Sequence, residues 1–328
     1  MSIPALQQTA AAMPAPESSQ SLSAAAAAER SATKACHWHC AYLTQKEFDV
    51  SESTTPSEGD ERVRRRFDLV AEGYDRPSLR AFRTGAERLV ELAALRNGQA
   101  VLDVGSGTGH AAVAAARAVG PRGRVVAVDA SAEMCARARQ KVLALGLATV
   151  EVRQGDGAAL ALPAGSFDAV LCASALYTFP DIQAALSEWG RVLKPGGRVA
   201  FSTLGAGSHL QYGELLQRYG ILLPGGMPTQ RVDSTDKCAA FLRGAGFGEV
   251  ESHAEQLGYY LADAEECWEV VWYTGARIPL TYLPPPVVER FKADYLAAMA
   301  ASATEAGIWI DWPCLFSLAR KPGQLGST

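Results

Sequence analysis

Nine residues, VLDVGSGTG from Val101 to Gly109, set an acid and three glycines among small residues at a spacing that can grip a ligand through the main chain. Gly105, Gly107 and Gly109 let the backbone turn sharply and approach a ligand at van der Waals distance. An Ala-rich segment follows; as a helix it would present amides without internal partners and an electropositive end. A dinucleotide turn needs a third glycine three residues after the second, and His110 stands there instead. A diphosphate beside the Asp103 carboxylate would be repelled by about 1–4 kcal/mol at plausible effective dielectric. An ammonium or sulfonium would gain from the same group. The bland alternative is a tight strand-to-helix turn with no ligand.

Two further acids fit the same site. Asp129 falls 20 residues after Gly109, where doubly wound nucleoside-binding folds place an acceptor for both ribose hydroxyls. The competing role is helix capping, for which Ser131 in DASAE is also available. Asp156 in GDG can accept a hydrogen bond from the exocyclic amine of adenine; alone, GDG is a turn. The other chemistry-bearing candidates are Tyr177 in ALYTFPD, and His209 and Tyr212 after the fifth strand, as base or substrate contacts. His110 is a cofactor contact or a helix-terminus partner, and His253 on a late strand is structural. CHWHC (Cys36–Cys40) crowds two thiols and two imidazoles into five residues, whereas tetrahedral metal sites draw ligands from separated arms, so no metal is expected.

The elements that must hold these groups are periodic. Residues 1–57 are rich in Ala, Ser, Gln, Thr and Pro and are expected to be a disordered leader. It lacks an Arg-rich amphipathic pattern and a signal-peptide core; a plastid-type address stays open beside a cytoplasmic location. Helical spacing over 62–70 and 79–95 is broken at GYDRP. Strands are then expected at 100–104, 124–129, 150–154, 168–173 and 198–203, alternating with helices at 110–119, 132–145 and 182–193. Such alternation predicts a parallel sheet with helices on both faces. Beyond it, a small cap is expected around 205–235, within a domain running from 58 to 328. Helices are expected at 235–245, 264–273 and 287–304, and strands at 249–256 and 314–319. The stripe Trp268, Trp272, Tyr273 is either core or a wall for a flat acceptor.

The chain has 328 residues, 48% of them hydrophobic, and a net charge of −4. An acidic chain lacks the basic stripe that holds nucleic acid. Seven scattered cysteines suggest buried thiols in a reducing compartment rather than a disulfide framework. No apolar stretch approaches the ~20 residues of a membrane-spanning helix.

Taken in order, VLDVGSGTG, VVAVDAS, VRQGDG, FDAVLCASALYTFPD and RVLKPGGRVAFST resemble the class I S-adenosylmethionine-dependent methyltransferases, within the ubiquinone/menaquinone-biosynthesis-like small-molecule branch. The resemblance implies an α/β fold: a Rossmann-like, seven-stranded, mostly parallel sheet in the order 3-2-1-4-5-7-6, its last strand antiparallel. It implies that Gly105, Gly107 and Gly109 line the methionine end of the cofactor, with Asp103 toward its ammonium and Asp129 on its ribose. Ala130 and Met134 would pack on adenine or ribose, Asp156 and Gly157 would meet the adenine, and Cys172 and Ala173 would lie beside the sulfonium. Tyr74 in AEGYD would close over the cofactor. Where many relatives carry histidines, ALYTFPD carries Tyr177 and Thr178.

The expected activity is methyl transfer from S-adenosylmethionine to a small, lipophilic or aromatic acceptor at O, N or C. Alignment supplies most of such a displacement, and a general base is needed only for acceptors that hold their proton. The partner is the small-molecule acceptor; nucleic acid and membrane-spanning segments are not expected, and the chain is a monomer or homodimer. The alternatives are a cofactor-binding cyclase that transfers no methyl, and a non-catalytic interaction protein; release of demethylated cofactor separates them.

Overall fold

A computed structural model describes residues 56–207, 210–221 and 227–323, all within one compact unit. The leader to residue 55, the CHWHC segment and His209 lie outside the described residues. The chain enters through helix α1 (Pro56–Val70), which starts earlier than the expected position 62, with proline at a helix start where its missing N–H is no loss. The stretch 71–79 forms two short 3-10 turns and delivers α2 (Arg80–Ala93).

Then come β1 (Ala100–Val104), α3 (His110–Val119), β2 (Arg124–Asp129), α4 (Ala132–Ala144), β3 (Val150–Gln154), β4 (Phe167–Ala173), α5 (Ile182–Val192) and β5 (Leu193–Leu204). After β5 lie α6 (Leu210–Arg218), α7 (Thr235–Gly244) and β6 (Gly248–Gln256). The chain ends with β7 (Tyr259–Leu261), α8 (Ala264–Trp272), α9 (Pro285–Ala301), β8 (Ile308–Ile310) and β9 (Pro313–Arg320).

The main sheet runs β3-β2-β1-β4-β5-β9-β6. Its first five strands are parallel, and β9 is antiparallel to both neighbours. Since β9 is the seventh strand of this sheet in chain order, this is the expected 3-2-1-4-5-7-6; β7 and β8 form a separate ribbon. The Val-rich interiors of β1, β2 and β4 are buried on both faces, as parallel strands between helical layers must be. Edge strand β3 carries the exposed Glu151–Arg153 pair, which discourages further strand addition.

One core layer joins α2 and α3 to the sheet and to α8 and α9; the other packs α5 and α7 around the buried Trp189 and Phe201. The cap is larger than the expected 205–235 insertion. Besides α6 and a 3-10 turn at Pro228–Val232, it contains α8 and α9, inserted between β7 and β8. Tyr212 of α6 packs edge-on against Phe291 of α9 at 5.8 Å between ring centroids, and Tyr295 lies 5.8 Å from Trp268 of α8. These stripes meet across about 80 residues of sequence, which local periodicity does not reveal. Among the described residues no helix is long and apolar enough to cross a membrane, and no group of three or more His, Cys, Asp or Glu is placed to hold a metal.

Candidate active site

Strand order reverses between β1 and β4, so the carboxyl ends of β1, β2, β3 and β4 open onto a crevice. The glycine loop floors it. The amides of Gly105 and Ser106 donate to the Val128 carbonyl (2.9 and 3.1 Å), tying the loop to β2. Gly105 has φ +64°, and a Cβ there would stand 2.6 Å from the Ala175 Cβ, so backbone shape and space both demand glycine. Gly109 lies beneath the floor against Ala138 of α4 rather than in the cavity wall.

Asp129 sits at the end of β2. One carboxylate oxygen accepts the Gly107 amide at 2.7 Å and the other the Ser131 amide at 2.9 Å. Burial raises its pKa, tempered by those two amides. The carboxylate therefore holds the loop in shape and still presents acceptor capacity to the cavity it lines. Ser131 caps α4 by accepting the Met134 amide at 3.0 Å, so the helix cap falls two residues after Asp129 and does not consume its carboxylate. Asp68 of α1 accepts the Ser131 hydroxyl at 2.6 Å; no motif marked it.

The wall continues through Ala130, Met134, Asp156 and Gly157. Asp156 accepts the Ala158 amide at 2.7 Å. A Cβ on Gly157 would collide with Val104 at 2.4 Å and the Phe179 ring at 2.9 Å. The Gly157 carbonyl is held by the Trp189 indole N–H at 2.8 Å. Tyr74 covers the opposite side, stacked on Phe82 at 4.9 Å, with the Phe82 ring edge-on to Trp312. Burial pushes the Tyr74 phenol well above its ordinary value, with Tyr177, Asp129 and Asp75 adding to the shift. The cavity, open to solvent on one side, has a volume of about 480 Å³.

Several expected residues stand elsewhere. Asp103 is wholly buried behind the loop, absent from the wall, and neither oxygen makes a direct hydrogen bond. Burial lifts its pKa to about 8; the Ala112 amide, near the carboxyl but short of hydrogen-bond geometry, offsets part of the rise, and the Asp129 charge adds to it. Cys172 is fully buried one residue too early; Ala173, Ser174 and Ala175 form the wall. Ser174 has φ +55°, unusual outside glycine, and its amide donates to the Ser202 carbonyl at 3.0 Å.

Tyr177 packs against the α5 side of the core while Thr178, Phe179 and Pro180 face the cavity. Burial, then the nearby Cys172 thiol, raises the Tyr177 phenol to about 12. Tyr212 is 2% exposed in the α6–α9 core and its hydroxyl donates to the Ala276 carbonyl, so it is a packing residue. Trp268 is core, and Tyr273 lies over Gly73 rather than in the cavity. His110 does line the cavity, with its Nε2 2.9 Å from Asp75.

A buried Ser106 hydroxyl without a hydrogen-bond partner lines the cavity, beside a glycine at a close approach and a strand-end carboxylate. This donor set fits an adenosine-containing cofactor with a charged amino-acid end. Doubly wound topology with a glycine-loop floor defines a fold of the nucleoside-binding kind. A family profile described as "Methyltransferase domain" matches residues 101–197. Nocamycin O-methyltransferase of Saccharothrix syringae is 31% identical over 281 residues, spanning 77% of this chain and 96% of that protein. A demethylmenaquinone methyltransferase of Geobacillus kaustophilus is 38% identical over 142 residues, 42% of this chain and 61% of that protein. The YcgJ protein of Bacillus subtilis shares the fold, with TM-score 0.52 and 22% identity over 73% of this chain and 98% of that one. The chain belongs to the class I S-adenosylmethionine-dependent methyltransferases, in the ubiquinone/menaquinone-like small-molecule branch. It is an S-adenosylmethionine-dependent small-molecule methyltransferase.

Proposed function

We propose that the chain O-methylates an acidic hydroxyl, as found in an enol, a phenol or a carboxylic acid, on a flat and largely apolar small molecule. The observation that carries this reading is the character of the wall: Phe67, Tyr74, Phe82 and Phe179 give it aromatic surface, and its titratable groups are already committed. His110 Nε2 faces Asp75, Asp129 and Asp156 hold backbone amides, Glu61 pairs with Arg64 and Arg65, and the Tyr74 phenol is pushed upward. An acceptor that ionises by itself needs no proton sink from such a wall. The O-methyl chemistry named for the Saccharothrix relative supports the same choice.

When bound, S-adenosylmethionine supplies an electrophilic methyl group on a sulfonium. Gly105, Ser106 and Gly107 would hold its methionine end, Asp129 its ribose, and Ala130, Met134, Asp156 and Gly157 its adenine. Tyr74 would exclude water from above, and Ala173 and Ser174 would face the reacting centre. The contribution of these groups is alignment and desolvation, the chief levers for in-line displacement. We assign the domain to residues 58–328 with a cap of two chain segments, and infer a cytoplasmic monomer or homodimer that does not act on nucleic acid.

The test is a competition with deuteriomethyl S-adenosylmethionine and paired acceptors: phenol, enol and carboxylic acid against aliphatic alcohol and amine of matched size. Label on acidic oxygens is expected. Label on carbon or nitrogen, or equal labelling of the aliphatic alcohol, overturns the reading.

A further inference from the structure

Asp75 ties the Tyr74-bearing segment to the floor of the cofactor cavity through several bonds at once. A single carboxylate oxygen meets the Thr108 hydroxyl at 2.6 Å, the Lys141 ammonium at 2.8 Å and the His110 Nε2 at 2.9 Å. Thr108 belongs to the glycine loop, His110 opens α3, and Lys141 lies on α4, so three pieces of the binding half converge on one atom. Lys141 also donates to Thr108 at 3.1 Å, closing the cluster. Burial works to raise the Asp75 pKa, but hydrogen bonds from His110, Lys141 and Thr108 outweigh it and hold the carboxyl well below the usual range. Arg83 repels Lys141 and adds to the need for an anion here.

The back of the same segment is fastened independently. Gly73 lies so close under the Tyr273 ring of the cap that a Cβ would fall 2.0 Å from it. Arg76 pairs with Glu269 of α8 at 2.5 Å and stacks over Tyr273 at 4.6 Å, and Ser78 donates to Glu269 at 2.6 Å. The stretch 71–79 is thus hinged on the cap at one side and latched to the binding floor at the other. The latch is half-exposed, with 39% of the Asp75 side chain accessible, whereas Thr108 is 1% exposed. Water can reach and open the carboxylate side, while the floor stays ordered.

We propose that Asp75 is a positioning residue: it latches Tyr74 over the cavity and sets how slowly the cofactor leaves. This rests on the cofactor reading above. Exit requires the Tyr74 cover to swing, and the swing must break charge-assisted hydrogen bonds, which are stronger than neutral ones. The latch meets the glycine loop only at the Thr108 side chain and leaves the bonds of Asp129 to the Gly107 and Ser131 amides untouched, so it acts chiefly on dissociation.

The test uses the full chain with S-adenosylhomocysteine as probe. Asp75→Asn keeps an acceptor but loses the charge, and should speed stopped-flow dissociation at least about tenfold. Lys141→Met should speed it by a smaller factor, and the double variant should be no faster than Asp75→Asn, because both act through one contact. In the ligand-free protein, hydrogen exchange over 71–79 should rise in Asp75→Asn while that over 264–272 holds. Wild-type dissociation rates in a folded Asp75→Asn, or multiplicative effects in the double variant, overturn the latch. If Asp75→Asn does not fold, Lys141→Met alone decides, and an unchanged rate overturns the proposal. A wild-type chain that binds no S-adenosylhomocysteine would overturn the cofactor reading itself, a result distinct from equal rates.

Discussion

The carboxyl edge of β1, β2 and β3 and the helical cap over β5 and β9 are built on opposite principles. At the edge, each binding group comes from a loop of a few residues whose backbone geometry is dictated locally: Gly105 at positive φ, Asp129 gripping the Gly107 and Ser131 amides, Gly157 pressed against Val104. In the cap, residues such as Tyr212, Trp268, Phe291 and Tyr295 are placed by contacts between segments far apart in sequence. The edge is intolerant at single atoms, and the cap spreads its stability over many apolar contacts. Substitutions at the edge should therefore strike cofactor binding, and those in the cap should strike stability first.

The largest effect is expected at Gly105. A valine there must adopt φ +64° and push against Ala175, whose Cβ would lie 2.6 Å from the new one. Such strain costs on the order of 1–3 kcal/mol even before the clash. Calorimetry with S-adenosylhomocysteine should show affinity down by at least about 100-fold. Retained affinity would mean the loop is not the floor of the site, and the contrast between edge and cap would fail.

Asp129→Ala comes next. It removes the acceptor of two loop amides and the proposed ribose partner, and should weaken binding by about 1–3 kcal/mol. Asp156→Ala removes the acceptor of one amide and should cost less. An equal or reversed order of losses would shift the adenosine toward β3.

How much of this was legible in the sequence follows the same division. The type and sequence of the strands, the glycine turn and the places of Asp129 and Asp156 after successive strands were readable because each depends on a short stretch whose residue types favour one backbone shape, whereas Tyr74 was pointed to only by the family resemblance. Asp103 was readable as an acid at a strand end, but not as one lying behind the loop, because its direction depends on how β1 sits between α3 and β4. Asp68 and Ser174 carried no signal. Asp68 acts through a helix more than sixty residues from its partner Ser131, and serine is not the residue type that announces positive φ. Tyr177 was one residue from the wall: the 3-10 turn at Leu176–Thr178 rotates it into the core and turns Thr178 and Phe179 outward. The aromatic stripe at 268–273 had a readable period and no readable partner.

Asp103 sharpens the comparison through pH. Its folded pKa of about 8 stands above the ordinary unfolded value of about 3.9, so the folded state holds its proton more tightly. That preference is fully present below about pH 4 and is lost progressively as pH rises toward 8. Asp103→Asn removes the titration and should raise the melting temperature more at pH 8 than at pH 5. Because the carboxyl is behind the wall, its loss should weaken cofactor binding less than Asp129→Ala. A melting-temperature gain equal at both pH values would show that Asp103 is not held protonated by burial.

The smallest effect is expected in the cap, at Tyr212→Phe. Its hydroxyl donates to the Ala276 carbonyl deep between α6 and the 3-10 stretch at Gly275–Tyr282, and its ring packs on Phe291 and Tyr295. Burial has already driven this phenol far above its ordinary pKa, which removes it as a proton carrier near neutrality. Phenylalanine keeps the ring contacts and leaves one buried carbonyl without this donor, a change worth about 1 kcal/mol. Thermal unfolding should register that loss, while S-adenosylhomocysteine affinity and turnover of any acceptor stay at the wild-type level. A fall in turnover with unchanged melting temperature would place Tyr212 in the chemistry, and with it would move the acceptor site from the mouth of β4 into the cap.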